Sequence, residues 1–196
     1  MTILCLSPHT DDCELAAGAT MAKLSKAGHQ VINVAFSDCD HKDLSAEFRR
    51  SSTILCNDHT ILSFRRRDFH AQRQRILDAL ISLRDNIKPH VVFTPSSLQR
   101  HQDHQVIHEE TKRAFSCTVY GYEQPWNSTQ QNLVAYVEIE QFHLASKLAA
   151  LDQYDSQLFR PYFNPDFITS WALFRGVQFG VPLAEAFEAI KVAIDL

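Results

Sequence analysis

Four short runs, TILCLS, QVINVAFS, TILSF and HVVFTP, are apolar almost without alternation, and longer segments of helical periodicity separate them. A strand with one wet face alternates apolar and polar residues; a run without alternation belongs to a strand covered on both faces. Such runs interleaved with helices predict parallel strands joined by right-handed crossovers. The spacing predicts helices over about residues 14–27, closed by Gly28, and about 44–56. A third runs over about 70–86, where Ile76, Leu77, Leu80, Ile81 and Leu83 make an apolar face and Pro89 follows the end. Beyond HVVFTP, the stretch SSLQRHQDHQVIHEETKRAF reads as a loop entering a helix. CTVYGYE and NLVAYVEI read as two more strands, and about 141–151 and 166–180 as helices. With no repeat or linker, the 196 residues read as one Rossmann-like α/β domain, 1–196, with a mostly parallel sheet flanked by helices.

The remaining composition narrows the function. A net charge of -4 argues against a general affinity for nucleic acid. The run Arg65, Arg66, Arg67 is too short to change that, and reads as a solvated surface that could still contact an anionic substrate. No window is apolar for long enough to span a membrane, and nothing at the N-terminus resembles a signal peptide. The five cysteines are scattered, with no C-x-x-C pair, so neither a disulfide framework nor a cysteine zinc site is indicated. A reducing, cytoplasmic setting is the expectation. Cys13 reads as a small helix-start residue rather than a nucleophile.

Two stretches carry chemistry. In CLSPHTDDCELAAGAT, His9, Asp11 and Asp12 fall on the bend after the first strand. Neighbouring carboxylates repel, so each must be solvated, paired or bound to a cation, although acids at a helix start can also serve the helix alone. In RHQDHQVIH, His101, Asp103 and His104 fall in the corresponding place after the fourth strand. Open α/β sheets bind ligands at the carboxyl ends of their strands, so both clusters should meet on one rim. Histidine with carboxylate suits zinc or a similar divalent metal, with three protein ligands and one open position. The H-E-x-x-H protease motif is absent, because Gln105 stands between His104 and His108 in place of its glutamate. A phosphate-accepting receiver domain would need a later aspartate and lysine that are not seen, and its Mg²⁺ does not favour histidine.

Ser7-Pro8-His9-Thr10-Asp11-Asp12-Cys13-Glu14, followed by Gly18, Ala19 and Thr20, and then His101-Gln102-Asp103-His104, together resemble the two motifs of the PIG-L/LmbE-like zinc-dependent N-deacetylases. The resemblance continues in HLASKLAALDQYDSQ and RGVQFGVPLAEAF. Departures are Thr10 for a usual proline, Ala19 for a glycine, Gln102 for a frequent proline, and Gln99 where many members have aspartate. None removes a ligand. The resemblance implies His9, Asp12 and His104 as ligands of one Zn²⁺, and Asp11 as general base. It implies a protonated His101 that stabilises the oxyanion, with Asp103 orienting it by pairing. Zinc lowers the pKa of its water to about 7, and a positioned proton-transfer group contributes ~10²–10⁴ in rate.

The implied substrate is a small N-acetylated amino sugar or its conjugate, and the family often forms homo-oligomers. Tyr120, Tyr122 and Trp126, in YGYEQPWNSTQQ, offer aromatic faces for a sugar ring. Arg100, beside His101, offers a planar fork for a phosphate or carboxylate. Other readings are a zinc amidase acting on a non-sugar amide and a non-enzymatic metal- or nucleotide-binding module.

Overall fold

The computed structural model describes residues 1–38, 42–56, 58–128, 130 and 132–193. Strand β1 (Thr2–His9) leads into helix α1 (Asp12–Lys26), followed by β2 (Gln30–Ser37), α2 (Lys42–Leu55) and β3 (Asp58–Ile61). Then come α3 (Arg73–Ile87), β4 (Val91–Pro95), α4 (Gln102–Ala114) and β5 (Thr118–Tyr122). The chain continues through β6 (Ala135–Glu138), α5 (Gln141–Leu151), α6 (Pro165–Phe179) and β7 (Ala184–Lys191). Cys39 lies outside the described residues.

The sheet order is β3-β2-β1-β4-β5-β7-β6. Strands β1 to β5 run parallel, as the unalternating apolar runs predict. Successive residues of β1 face opposite layers. Leu4 and Leu6 join Val34, Phe36, Val92, Ile76, Leu80 and Ile107 under α3 and α4. Ile3 and Cys5 join Val31, Phe93, Cys13, Ala16 and Ala17 under α1. Small residues on α1 let that helix lie close to the sheet. Gly28 ends its turn at φ +82°, in the left-handed region where a side chain would be strained.

Two elements depart from the sequence reading. The third strand occupies Asp58–Ile61 instead of the whole of TILSF, although the Leu62 and Phe64 amides still donate to Ala35 and Phe36 of β2. The second departure is larger. Ala184–Lys191 forms β7, inserted antiparallel between β5 and β6, so CTVYGYE and NLVAYVEI are strands that never touch. Ala and Glu are poor strand formers, but partners on both sides and Phe187 buried against Phe93 override local propensity.

The chain leaves β1 toward β2 on one side, and the other half of the sheet begins at β4 on the other. The gap between the β1 and β4 carboxyl ends is therefore the point where the strand order reverses, the place where open α/β sheets form a crevice.

Candidate active site

Both unusual stretches open into that crevice. β1 ends at His9 and α1 begins at Asp12, so Thr10 and Asp11 make the bend. Tyr154, buried below, donates its hydroxyl to the Thr10 carbonyl and to Glu14 Oε1. After β4 the chain turns through Gln99 to His101, which caps α4 by accepting from the Asp103 amide at 3.2 Å. The pairing of β1 with β4 brings together residues more than 90 positions apart.

Three donor atoms form a nearly regular triangle. His9 Nδ1 and Asp12 Oδ2 are 3.3 Å apart, His104 Nε2 and Asp12 Oδ2 are 3.3 Å, and His104 Nε2 and His9 Nδ1 are 3.4 Å. Zinc ligands at about 2.0–2.1 Å in tetrahedral directions would be about 3.3–3.4 Å from one another. The donor set therefore fits a divalent metal ion. Each donor is also held from behind. Gln99 Oε1 accepts from His104 Nδ1 at 2.5 Å, Gln124 Nε2 donates to Asp12 Oδ1 at 2.7 Å, and His9 Nε2 meets Asp103 Oδ2 at 3.1 Å. Such outer contacts fix the tautomer and aim of each ligand.

Adjacent Asp11 and Asp12 are driven apart electrostatically. Burial pushes Asp11 up, and the charge of Asp12 adds to it, reaching about 6 despite opposing pulls from His9 and Arg160. Burial works the same way on Asp12, yet the charge and hydrogen bonds of His104 and His9 hold it well below the usual carboxylate range. One carboxyl can carry a proton near neutrality while its neighbour stays ionised. Asp11 sits at the N-cap of α1 but makes no side-chain capping bond, so serving the helix does not account for it. Burial disfavours the His9 imidazolium, but hydrogen bonds to Asp103 and Asp12 outweigh it and raise His9 to about 9. The positive charge favoured there can be a proton or a metal cation.

The expected Asp103–His101 pairing is not what the fold makes. Asp103 Oδ2 is taken by His9 and by the Arg67 amide at 2.7 Å, and Oδ1 is buried with no hydrogen-bond partner. An imidazolium at His101 is also disfavoured: burial, then the charges of His104 and His9, push it down to about 4. His101 Nδ1 accepts from the helix, so its single proton belongs on Nε2.

Around the triangle lies a cavity of about 410 Å³, within the range of small-molecule sites. Asp11, His101 and Trp126 line it, as do Tyr162, Arg66, Arg67 and Arg160. Trp126 stacks on Tyr162 at 4.3 Å with rings nearly parallel. Arg100 does not line the cavity; its guanidinium donates outward to the Trp126 carbonyl at 2.9 Å. Tyr122 is wholly buried, donating to the Leu6 carbonyl, and Tyr120 packs on Phe93 and Phe187, so neither faces substrate. His108 bonds the Pro95 carbonyl at 2.8 Å, away from the triangle. Sequence reasoning missed Gln124, Asn127, Arg160 and Tyr162, which lie in loops or in the short 3-10 turns Pro125–Asn127 and Pro161–Phe163 and carry no local spacing signal.

Comparison with known proteins follows the same outline. The family described as PIG-L, GlcNAc-PI de-N-acetylase, matches residues 4–115. The uncharacterized deacetylase YaiS of Escherichia coli (strain K12) is 30% identical over 169 residues, which cover 79% of this chain and 90% of that protein. N,N'-diacetylchitobiose deacetylase from Pyrococcus horikoshii superposes with a TM-score of 0.74 at 20% identity, over 96% of this chain and 83% of that one. GalB, the 4-carboxy-2-hydroxymuconate hydratase of Pseudomonas putida KT2440, gives 0.81 at 18% identity, over 100% and 99%. At those identities the two structures are alike in fold.

Proposed function

The chain belongs to the PIG-L family of deacetylases, and from that we propose a zinc-dependent N-deacetylase that releases acetate from a small amino-sugar substrate. One observation carries the reading: the 3.3–3.4 Å triangle of His9, Asp12 and His104 borders the cavity that Asp11 and His101 also line. Bound there, Zn²⁺ would lower the pKa of a water and polarise the acyl oxygen.

The remaining chemistry belongs to the chain. An Asp11 carboxylate oxygen takes the proton of the attacking water and returns it to the departing amine nitrogen, which suits a carboxyl raised to about 6. His101, neutral, donates from Nε2 to the developing oxyanion, since its Nδ1 is committed to the α4 cap. Asp103 acts as a positioning residue on His9 and on the Arg67 backbone. The Trp126–Tyr162 stack offers an apolar wall to the C–H face of a sugar. No helix among the described residues is long and apolar enough to cross a membrane, and Cys5, Cys13, Cys56 and Cys117 are free thiols, in keeping with a reducing cytoplasmic setting.

A second reading is water addition to a carboxylated substrate, the class that the name of the Pseudomonas hydratase describes for that protein. The arginines lining this cavity favour keeping it. Metal analysis of the purified protein, with acetate assayed on N-acetylated sugars and N-acetylated amino acids, separates the readings. We expect one zinc per chain and acetate from a sugar. Acetate from amino acids alone would make the enzyme a non-sugar amidase, and none from the metal-loaded protein would overturn the deacetylase reading.

A further inference from the structure

We propose that Arg66, Arg67 and Arg160 form a subsite for an anionic group, a carboxylate or a phosphate, on the substrate this cavity accepts. The inference deepens the proposed function, because it rests on the cavity being the substrate site.

The arginines come from two separate segments. Arg66 and Arg67 follow β3, and Arg160 lies between α5 and α6, yet all three line one cavity. Elsewhere Arg50, Arg73, Arg84, Arg113 and Arg175 each lie within 4 Å of a carboxylate, while Arg49, Arg65, Arg75 and Arg100 form no ion pair among the described residues and do not line the cavity. No ion pair among the described residues uses Arg66, Arg67 or Arg160. Arg160 is fixed through Nε to Gln157 Oε1 at 2.5 Å, with its guanidinium over the Tyr162 ring.

The Arg67 backbone carries the strongest argument. It sits at φ 65°, left-handed, where glycine or asparagine would be less strained. Two contacts from the start of α4 hold it there. Its amide donates to Asp103 Oδ2 at 2.7 Å, and its carbonyl accepts from Gln102 Nε2 at 2.6 Å. A conformation fixed that firmly beside a reactive centre, and bearing an arginine, places a side chain on purpose. The cavity is also polarised. Asp12 at its base is buried, whereas Arg66 and Arg67 at its mouth are exposed. Arginines at the mouth would hold an anion there, away from the triangle at the base, and so orient the uncharged acyl end inward.

The test compares deacetylated ligands, which bind without turnover: glucosamine, glucosamine 6-phosphate and muramic acid, measured by calorimetry on the metal-loaded protein. We expect one of the two anionic sugars to bind at least about tenfold tighter than glucosamine, as charge-assisted hydrogen bonds allow. Which one does so distinguishes phosphate from carboxylate. Arg66→Gln, Arg67→Gly and Arg160→Gln should each erode that ratio, and added salt should too. Glycine adopts φ 65° freely, so an unchanged urea midpoint in Arg67→Gly shows that the fold is retained. Equal affinities for all three sugars, no binding of either anion, or a ratio that survives the triple variant would overturn the subsite. Acetate release from the N-acetylated forms runs in parallel. Anion preference without acetate leaves the subsite standing and removes the reaction; acetate without preference does the reverse.

Discussion

The side chain of Gln99 receives the Nδ1 proton of His104 at 2.5 Å while its own amide donates to the Tyr122 carbonyl at 2.7 Å. A neutral amide thus stands behind a histidine proposed as a metal ligand, at the position where the resembled motif often has aspartate. The amide fixes the tautomer but adds no negative charge.

Gln99→Ala should therefore weaken metal binding by about 10–100-fold without unfolding the protein. Gln99→Glu should restore it or exceed the parent. Chelator competition measures both, and an unchanged affinity in Gln99→Ala would detach Gln99 from the ligand set.

Asp11→Asn should retain metal and lose ~10²–10⁴ in kcat, because an amide cannot carry the proton. Asp12→Asn should lose metal first, since that oxygen meets both imidazoles. Metal content beside kcat for each variant decides, and exchanged phenotypes would reverse the assignment.

Metal removal should lower the melting temperature. A ligand at 100 times its Kd stabilises the fold by about 2.7 kcal/mol, and a chelator withdraws that. In His104→Ala the chelator should make no difference; a persistent shift would locate the metal elsewhere.

Glu123 is buried and receives the Trp171 indole and Arg175 Nε, each at 2.7 Å. Its neighbour Gln124 holds Asp12, so this ion pair supports the site from behind. Arg175→Met should cost about 3–5 kcal/mol in urea unfolding by leaving a buried charge unmatched. Glu123→Gln with Arg175→Met should recover much of it.

Burial pushes His108 below its ordinary value despite its bond to the Pro95 carbonyl. As pH falls through about 6.5 the unfolded chain takes up a proton that the folded chain does not, so the folded state loses stability until its own lowered pKa is passed. His108→Gln should flatten that part of the stability–pH curve, measured as the difference from the parent. Parallel curves would remove His108 from the acid response.

The first half of the fold was legible because a parallel sheet writes itself as unbroken apolar runs, and β1, β2 and β4 do so. The His9 and His104 clusters were legible for a related reason, since each follows such a run. Strand β7 was hidden because its alanines and glutamates favour helix, and only its two neighbours make it a strand. Arg100 was misjudged and Arg160 overlooked for one reason: proximity in sequence to His101 says nothing about which way a loop side chain turns. Asp103 is similar. Its spacing from His101 is fixed by the helix, but its carboxylate reaches back toward His9 on another strand.

The place of β7 has a consequence for how the chain is made. While the ribosome is still adding residues 184–191, β5 has no partner on its outer side and β6 has no partner at all. The triangle of His9, Asp12 and His104 needs only β1, the start of α1, β4 and the start of α4, so it can form on a chain whose sheet is still open. During that interval β5 offers its bare backbone to any other extended chain, a recognised route to aggregation. Of the described strands, the one that closes this edge is made after both of its partners.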